Sequence, residues 1–255
     1  MKAEQVALQL YTVRAETARD FAGTLRALGA MGYRAVEFAG FGNLSAGELR
    51  AVLDEAGIQA MGAHVQFNAW ESNLDGVFAD LHTLGCAHAV VPALPPEWRN
   101  PDAARLRELA GRFNDWGRRS QAEGLRFSYH NHAFEFVPLA GATSGTFYEA
   151  LAGATDPALV GLELDVFWAQ AGGHDPIALI ERYAGRLPLI HVKDMTGSGD
   201  TRADAPVGAG DLPWRDILAA GDAAGGEWYI VEQDHPRDAM DDVRTSLRNL
   251  EKMAG

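Results

Sequence analysis

Hydrophobic and polar positions follow two alternating periodicities along the chain. Eight short runs rich in β-branched and aromatic residues read as strands. They are VALQLYTV (6–13), AVEFAG (35–40), QAMGAHVQF (59–67), HAVVPAL (88–94), RFSYHNH (126–132), VGLELDVFW (160–168), PLIHVKDM (188–195) and EWYIVEQD (227–234). Each gives way to a segment with apolar residues at helical spacing. The clear stripes are Phe21/Leu25/Leu28/Met31, Leu74/Val77/Phe78/Leu81, Leu106/Leu109/Phe113/Trp116 and Val243/Leu247/Leu250. Weaker ones are Leu49/Val52/Leu53, Tyr148/Leu151, Ile177/Ile180/Tyr183 and Trp214/Ile217/Leu218.

Eight strand-then-helix units imply parallel strands joined by right-handed crossovers. Gly29, Gly32, Gly57, Gly85 and Gly124 fall where helices should stop before the next strand. The first strand lacks the GxGxxG turn of an open dinucleotide-binding sheet. No Pro/Ser-rich linker or charge block divides the 255 residues, a usual length for one (β/α)8 barrel. The pattern therefore predicts an α/β protein, a TIM barrel forming a single domain over 1–255, with a doubly wound sheet as the alternative.

Charge narrows the partners. The chain carries 35 acidic and 22 basic residues, a formal net charge of −13. Such a field repels polyanions, and no Lys/Arg cluster with interleaved aromatics offsets it, so no nucleic-acid partner is expected. Glu4, Gln5 and Gln9 interrupt the early apolar run, which argues against a signal peptide. No apolar stretch approaches the ~20 residues needed to cross a bilayer, so no membrane partner is expected either. The lone Cys86 excludes an internal disulfide and reads as a buried, inert thiol. These features predict a cytoplasmic protein with a small-molecule partner; a homo-oligomer is compatible with them.

In such a barrel the chemistry sits at the C-terminal ends of the strands. Ionisable residues gather late in six of the eight predicted strands: Glu37, His64, His130 and His132, Glu163 and Asp165, His191 and Lys193, Glu232 and Asp234. Strand alternation puts His130 and His132 on one face and Asn131 on the other. Carboxylates and imidazoles that converge on one spot are stabilised by a cation between them. With oxygen and imidazole ligands and no thiolate, a divalent metal ion is expected: Mn2+, Co2+, Zn2+ or Mg2+. His130, Asp165, His191 and Glu232, from four different strands, are the candidate metal ligands.

SYHNHAFEF, LELDVFW, LIHVKDM and IVEQD, in this order and spacing, resemble the xylose isomerase-like TIM barrels. The resemblance runs from QLYTVR to the last strand and includes VGAGDLPW. It implies a metal-dependent isomerase or epimerase acting on a sugar, keto-sugar or cyclitol substrate through an enediolate. The alternative is a dehydratase or lyase acting on a keto-sugar or inosose. A nuclease like endonuclease IV is disfavoured by the charge, and a non-catalytic sugar-binding barrel by the completeness of the acids and imidazoles.

The family's metal set is Glu, Asp, His and Glu from the fifth to eighth strands. Asp165, His191 and Glu232 match by type, but His130 stands where the first Glu is usual. Three arrangements follow: ligation by His130, ligation by His132, or three protein ligands with water. Trp168 replaces a histidine that ketose 3-epimerases use, which moves the chain away from that reaction. The resemblance leaves Glu232 or His132 as the base and Lys193 facing developing negative charge. His64, Glu37, Trp168 and Arg202 are the candidate substrate contacts, with Trp168 stacking on a ring. Glu163 either orients a ligand histidine or pairs with Lys193. The glycines Gly208 and Gly210 read as a turn rather than a phosphate cradle.

Overall fold

The computed structural model describes residues 1–99, 101–139 and 145–254. Eight parallel strands close on themselves: β1 (Val6–Gln9), β2 (Ala35–Phe38), β3 (Gln59–His64), β4 (His88–Val91), β5 (Arg126–His130), β6 (Val160–Asp165), β7 (Leu189–Val192) and β10 (Trp228–Val231). Neighbours follow chain order, and β10 closes the ring between β7 and β1. A short antiparallel ribbon, β8 (Asp194–Thr196) with β9 (Ala203–Ala205), stands just beyond β7. The expected (β/α)8 barrel is present.

The strands are shorter than the apolar runs that announced them. The run 6–13 pairs only through Gln9, then turns into a 3-10 helix, Leu10–Val13. The run 160–168 stops at Asp165, whose side chain accepts from the Trp168 N–H and starts the helix Val166–Ala171. Apolar content alone does not distinguish a strand from the buried turn of helix that follows it. Gly32, Gly57, Gly85 and Gly124 take positive φ at or after helix ends, as expected. Gly29 differs: it lies inside the helix Phe21–Met31, where a Cβ would sit 2.4 Å from the Ala56 carbonyl oxygen. Close helix packing, not capping, requires it.

Two apolar clusters hold the structure. The larger one fills the space between the strands and the surrounding helices. The smaller one, Ala7, Ala35, Met61, Val90, Leu189 and Ile230, is a separate set drawn from six strands and plugs the barrel. Because side chains alternate along a strand, the residues two positions further on share its face. Those residues are Gln9, Glu37, His191 and Glu232 on four of these strands. On β3 the phase shifts, because the β2–β3 pairing slips by one residue after Val36, and His64 takes the equivalent place. An apolar plug thus carries a polar layer directly above it.

Candidate active site

The polar layer has two tiers. In the upper one, His130, Asp165, His191 and Glu232 each bring one ligand atom within 4.8 Å of the others, and all four are buried. Asp165 Oδ1 accepts from the Trp168 N–H at 2.9 Å, which leaves Oδ2 buried with no hydrogen-bond partner among the described residues. That oxygen lies 3.9 Å from His130 Nε2 and 3.9 Å from Lys193 Nζ. Burial lifts the Asp165 carboxyl to about 7, against the pull of Lys193. Burial also works against Glu232, but Lys193 and His191 hold it well below the usual carboxylate range. An orphaned buried carboxylate oxygen is costly. Two imidazoles and two carboxylates facing one point fit a divalent ion with oxygen and nitrogen ligands.

The lower tier is made of Glu163, His64 and Glu37. A single oxygen, Glu163 Oε2, lies 2.7 Å from His64 Nε2, 3.0 Å from His130 Nδ1 and 3.2 Å from His191 Nε2. Glu37 Oε2 lies 2.9 Å from His191 Nε2 and accepts from Gln9 Nε2 at 2.8 Å. Burial opposes ionisation of Glu163, yet the histidines around it, His191 first, hold its carboxyl well below the usual range. Burial beside that charge lifts Glu37 to about 7. The remaining ring nitrogen of His191, Nδ1, faces Glu232 Oε2 at 3.0 Å in the upper tier.

Lys193 is fully buried and pairs with Asp234 Oδ2 at 2.5 Å, not with Glu163. Its Nζ is 3.8 Å from Glu232 Oε2 and 5.0 Å from the centre of the Trp168 ring. A cavity of about 420 Å³ opens above the upper tier, bounded by His64, His130, His132, Trp168, Glu232 and Asp234. His132 stands on its wall beside His130, ring centres 5.1 Å apart, on the face that strand alternation predicts. Its Nδ1 is buried and unpartnered among the described residues. Burial, with His130 adjacent, pulls the imidazole down to about 3, so it stays neutral at pH 7.

The substrate candidates divide. His64 and Trp168 line the cavity. Glu37 does not: it is fully buried beneath His191, so its place as a substrate contact gives way to one as a partner of the histidines. Arg202 also stands apart from the lining, with its guanidinium over the Phe167 and Trp168 rings at 5.7 and 5.9 Å. It meets those two rings and is not among the residues that line the cavity.

Three residues that sequence reasoning missed hold the site in shape. Asn131, on the outer face of its strand end, accepts from the Asp165 N–H at 3.0 Å and donates to the Asp165 carbonyl at 3.3 Å. It ties the end of β5 to the end of β6 and sets His130 against Asp165. Glu135, buried, accepts from Tyr129 Oη and from the His132 N–H, which pins the loop that carries His132. Asp194 takes the N–H groups of Gly208, Gly210 and Leu212 and the Trp214 indole N–H. The VGAGD segment is therefore a turn closed on an internal carboxylate, with its donors already satisfied. A Cβ at Gly210 would sit 2.4 Å from Asp194 Oδ1, so only glycine fits there.

A family model described as xylose isomerase-like TIM barrel matches residues 25–253. An inosose dehydratase of Geobacillus kaustophilus (strain HTA426) is 27% identical over 65% of the chain. The match spans 59% of that enzyme, less than two thirds of its length. A sugar phosphate isomerase/epimerase structure from Parabacteroides distasonis superposes with a TM-score of 0.82 at 25% identity, covering 98% of this chain and 95% of that one. The IolI protein, solved with a bound zinc atom, superposes with a TM-score of 0.73 at 15% identity over 98% of both chains.

Proposed function

We propose, for a chain that belongs to the xylose isomerase-like TIM barrel family, a divalent-metal-dependent isomerase or epimerase acting on a sugar, keto-sugar or cyclitol. One observation carries this reading: the orphaned Asp165 Oδ2, gathered with His130, His191 and Glu232 directly beneath a cavity walled by His132 and Trp168. His130, Asp165, His191 and Glu232 would hold the ion, whose contribution when bound is Lewis-acid polarisation of a carbonyl. The zinc atom bound in the IolI structure supports a metal in a protein of this fold, and Mn2+, Co2+, Zn2+ and Mg2+ stay as candidates.

The side chains supply the rest. The substrate's apolar ring face stacks on the indole of Trp168, which turns the carbonyl carbon and its neighbours toward the upper tier. Glu232, held ionised, and His132, held neutral, are the two groups able to take a proton from the carbon beside the carbonyl. Lys193, locked by Asp234 behind Glu232, places a fixed positive charge where the enediolate develops negative charge. Return of the proton to the other carbon, or to the other face, completes isomerisation or epimerisation.

The inosose dehydratase similarity favours a second outcome from the same proton removal, in which the enediolate expels a β-hydroxyl as water. No helix among the described residues is long and apolar enough to cross a membrane. The test is turnover in D2O with a panel of ketoses, keto-glycosides and inososes. Isomerase or epimerase action gives an isomer labelled at the carbon beside the carbonyl. A dehydratase gives a product lighter by one water, with enone absorbance. Turnover without solvent label and without loss of water would overturn proton abstraction.

A further inference from the structure

His130 and His191 belong to two groups of potential ligands at once. Beside the upper tier, His64, His130, Glu163 and His191 also bring ligand atoms within 4.8 Å of one another. The two groups compete for the same rings, and each ring offers one nitrogen to each group. His130 presents Nδ1 downward to Glu163 and Nε2 upward toward Asp165. His191 is reversed: Nε2 points down to Glu37 and Glu163, and Nδ1 points up to Glu232.

An ionised carboxylate oxygen only accepts, so each nitrogen held on Glu163 carries a proton; His191 Nδ1, held on Glu232, carries one as well, and it is this upper proton that a cation would displace. A neutral imidazole that keeps its proton on the lower nitrogen then presents a lone pair from the upper one. We infer that Glu163, assisted by Glu37, is the positioning residue of this site: one carboxylate oxygen fixes opposite tautomers in His130 and His191, directs both lone pairs into the upper tier, and reserves the lower tier against a second cation. The inference rests on the metal-dependent reading above and assigns which atoms of this chain serve it.

The same geometry accounts for His130 itself. A histidine in place of the family's first glutamate is useful as a ligand only if something holds its ring. Glu163, 3.0 Å away on the neighbouring strand, does so, and the β5–β6 register places Glu163 opposite His130. Gly161, two residues earlier on β6 and paired with Ser128, leaves room for the Ser128 hydroxyl: a Cβ there would lie 2.6 Å from Ser128 Oγ. The same parallel ladder sets Glu163 beside His130.

The test uses the full chain, Zn2+ alone as the probe, and 15N-labelled histidine. Long-range 1H–15N spectra of the zinc-loaded protein should show His130 bound through Nε2 with Nδ1 protonated, and His191 bound through Nδ1 with Nε2 protonated. Glu163→Gln preserves shape and removes the charge. It should weaken zinc about 10- to 100-fold in competition with a chromophoric chelator, the usual cost of losing an orienting partner. It should also disturb the His130 Nδ1 resonance. Glu37→Gln should act in the same direction and mainly on His191. A purely structural role for Glu163 would lower thermal stability and leave zinc affinity and both tautomers unchanged, which would overturn the inference. Ligation of His130 through Nδ1, or two zinc ions per chain, would overturn it as well. A chain that takes up no zinc and no Mn2+ contradicts the metal-dependent reading itself, and this assignment with it.

Discussion

The two ends of the barrel are built from the same strands and obey opposite rules. Toward the N-terminal end, Ala7, Ala35, Met61, Val90, Leu189 and Ile230 make an apolar plug. Toward the C-terminal end, Glu37, Glu163, Asp165 and Glu232 are buried with His130, His191 and Lys193. A cavity of about 510 Å³ lies at the plug end, but its ionisable groups are already committed. Arg126 pairs with Glu227, and Arg186 donates to the Val160 and Ala152 carbonyls. The smaller cavity at the other end is lined by His132, whose Nδ1 has no partner among the described residues, and by His130 and Glu232 of the tier that holds the orphaned Asp165 Oδ2. Cavity volume does not identify the chemistry here; unspent polar capacity does. Leu189 and His191 are two residues apart on one strand, and they separate what holds the fold from what performs the reaction.

The sharpest way to break this division is at its upper edge. His191→Ala or Glu232→Ala should abolish divalent metal binding by calorimetric titration while far-ultraviolet circular dichroism stays that of the parent. Unchanged metal binding in both variants would remove the assignment. Next in size is His132→Gln, which should keep the ion and lose turnover by about 10²–10⁴. If it loses the ion instead, His132 is a ligand and the division of labour between the two histidines is reversed.

Leu189→Ala probes the plug. Truncating a fully buried leucine should cost about 2–5 kcal/mol in denaturant unfolding, with metal stoichiometry unchanged. Loss of metal with little loss of stability would mean that the two layers are not independent. The smallest effect is at His88, buried at the plug end, where desolvation pulls the imidazole down to about 4. The folded value lies below the unfolded one of about 6.5. Folding therefore favours the neutral ring, and the stability it confers is present above pH 6.5 and lost as pH falls toward 4. His88→Gln should flatten the acid side of the stability profile by up to about 3 kcal/mol. An acid slope identical to the parent's would show that another group sets it.

Much of this was legible before any coordinates. The eight alternating periods favour a parallel barrel over an open sheet, and the ionisable residues late in the strands point to its C-terminal end. His130, Asp165, His191 and Glu232 do converge as their spacing suggests. Strand boundaries were not legible, because Leu10–Val13 and Val166–Ala171 are as apolar as the strands they follow. The depth of a side chain was not legible either. Glu37 and Glu232 both end strands, yet one lies under the histidines and the other reaches the cavity, a difference set by barrel stagger and by the slip between β2 and β3. The contribution of Asn131 was hidden for a related reason: its partner is a backbone unit on the next strand, which no local pattern reveals.

The account stands on the claim that the upper tier is made to hold one divalent cation while the plug beneath it holds the fold. Elemental analysis of the chain purified without chelator tests this most directly, paired with thermal unfolding before and after chelation. The account predicts about one divalent ion per chain, removed by chelator, with the chelated protein still folding cooperatively at a lower midpoint. It predicts full recovery of that midpoint when a single equivalent of ion is returned. A protein that carries no stoichiometric metal, and whose unfolding is indifferent to chelator and to added Mn2+, Co2+, Zn2+ or Mg2+, would contradict it.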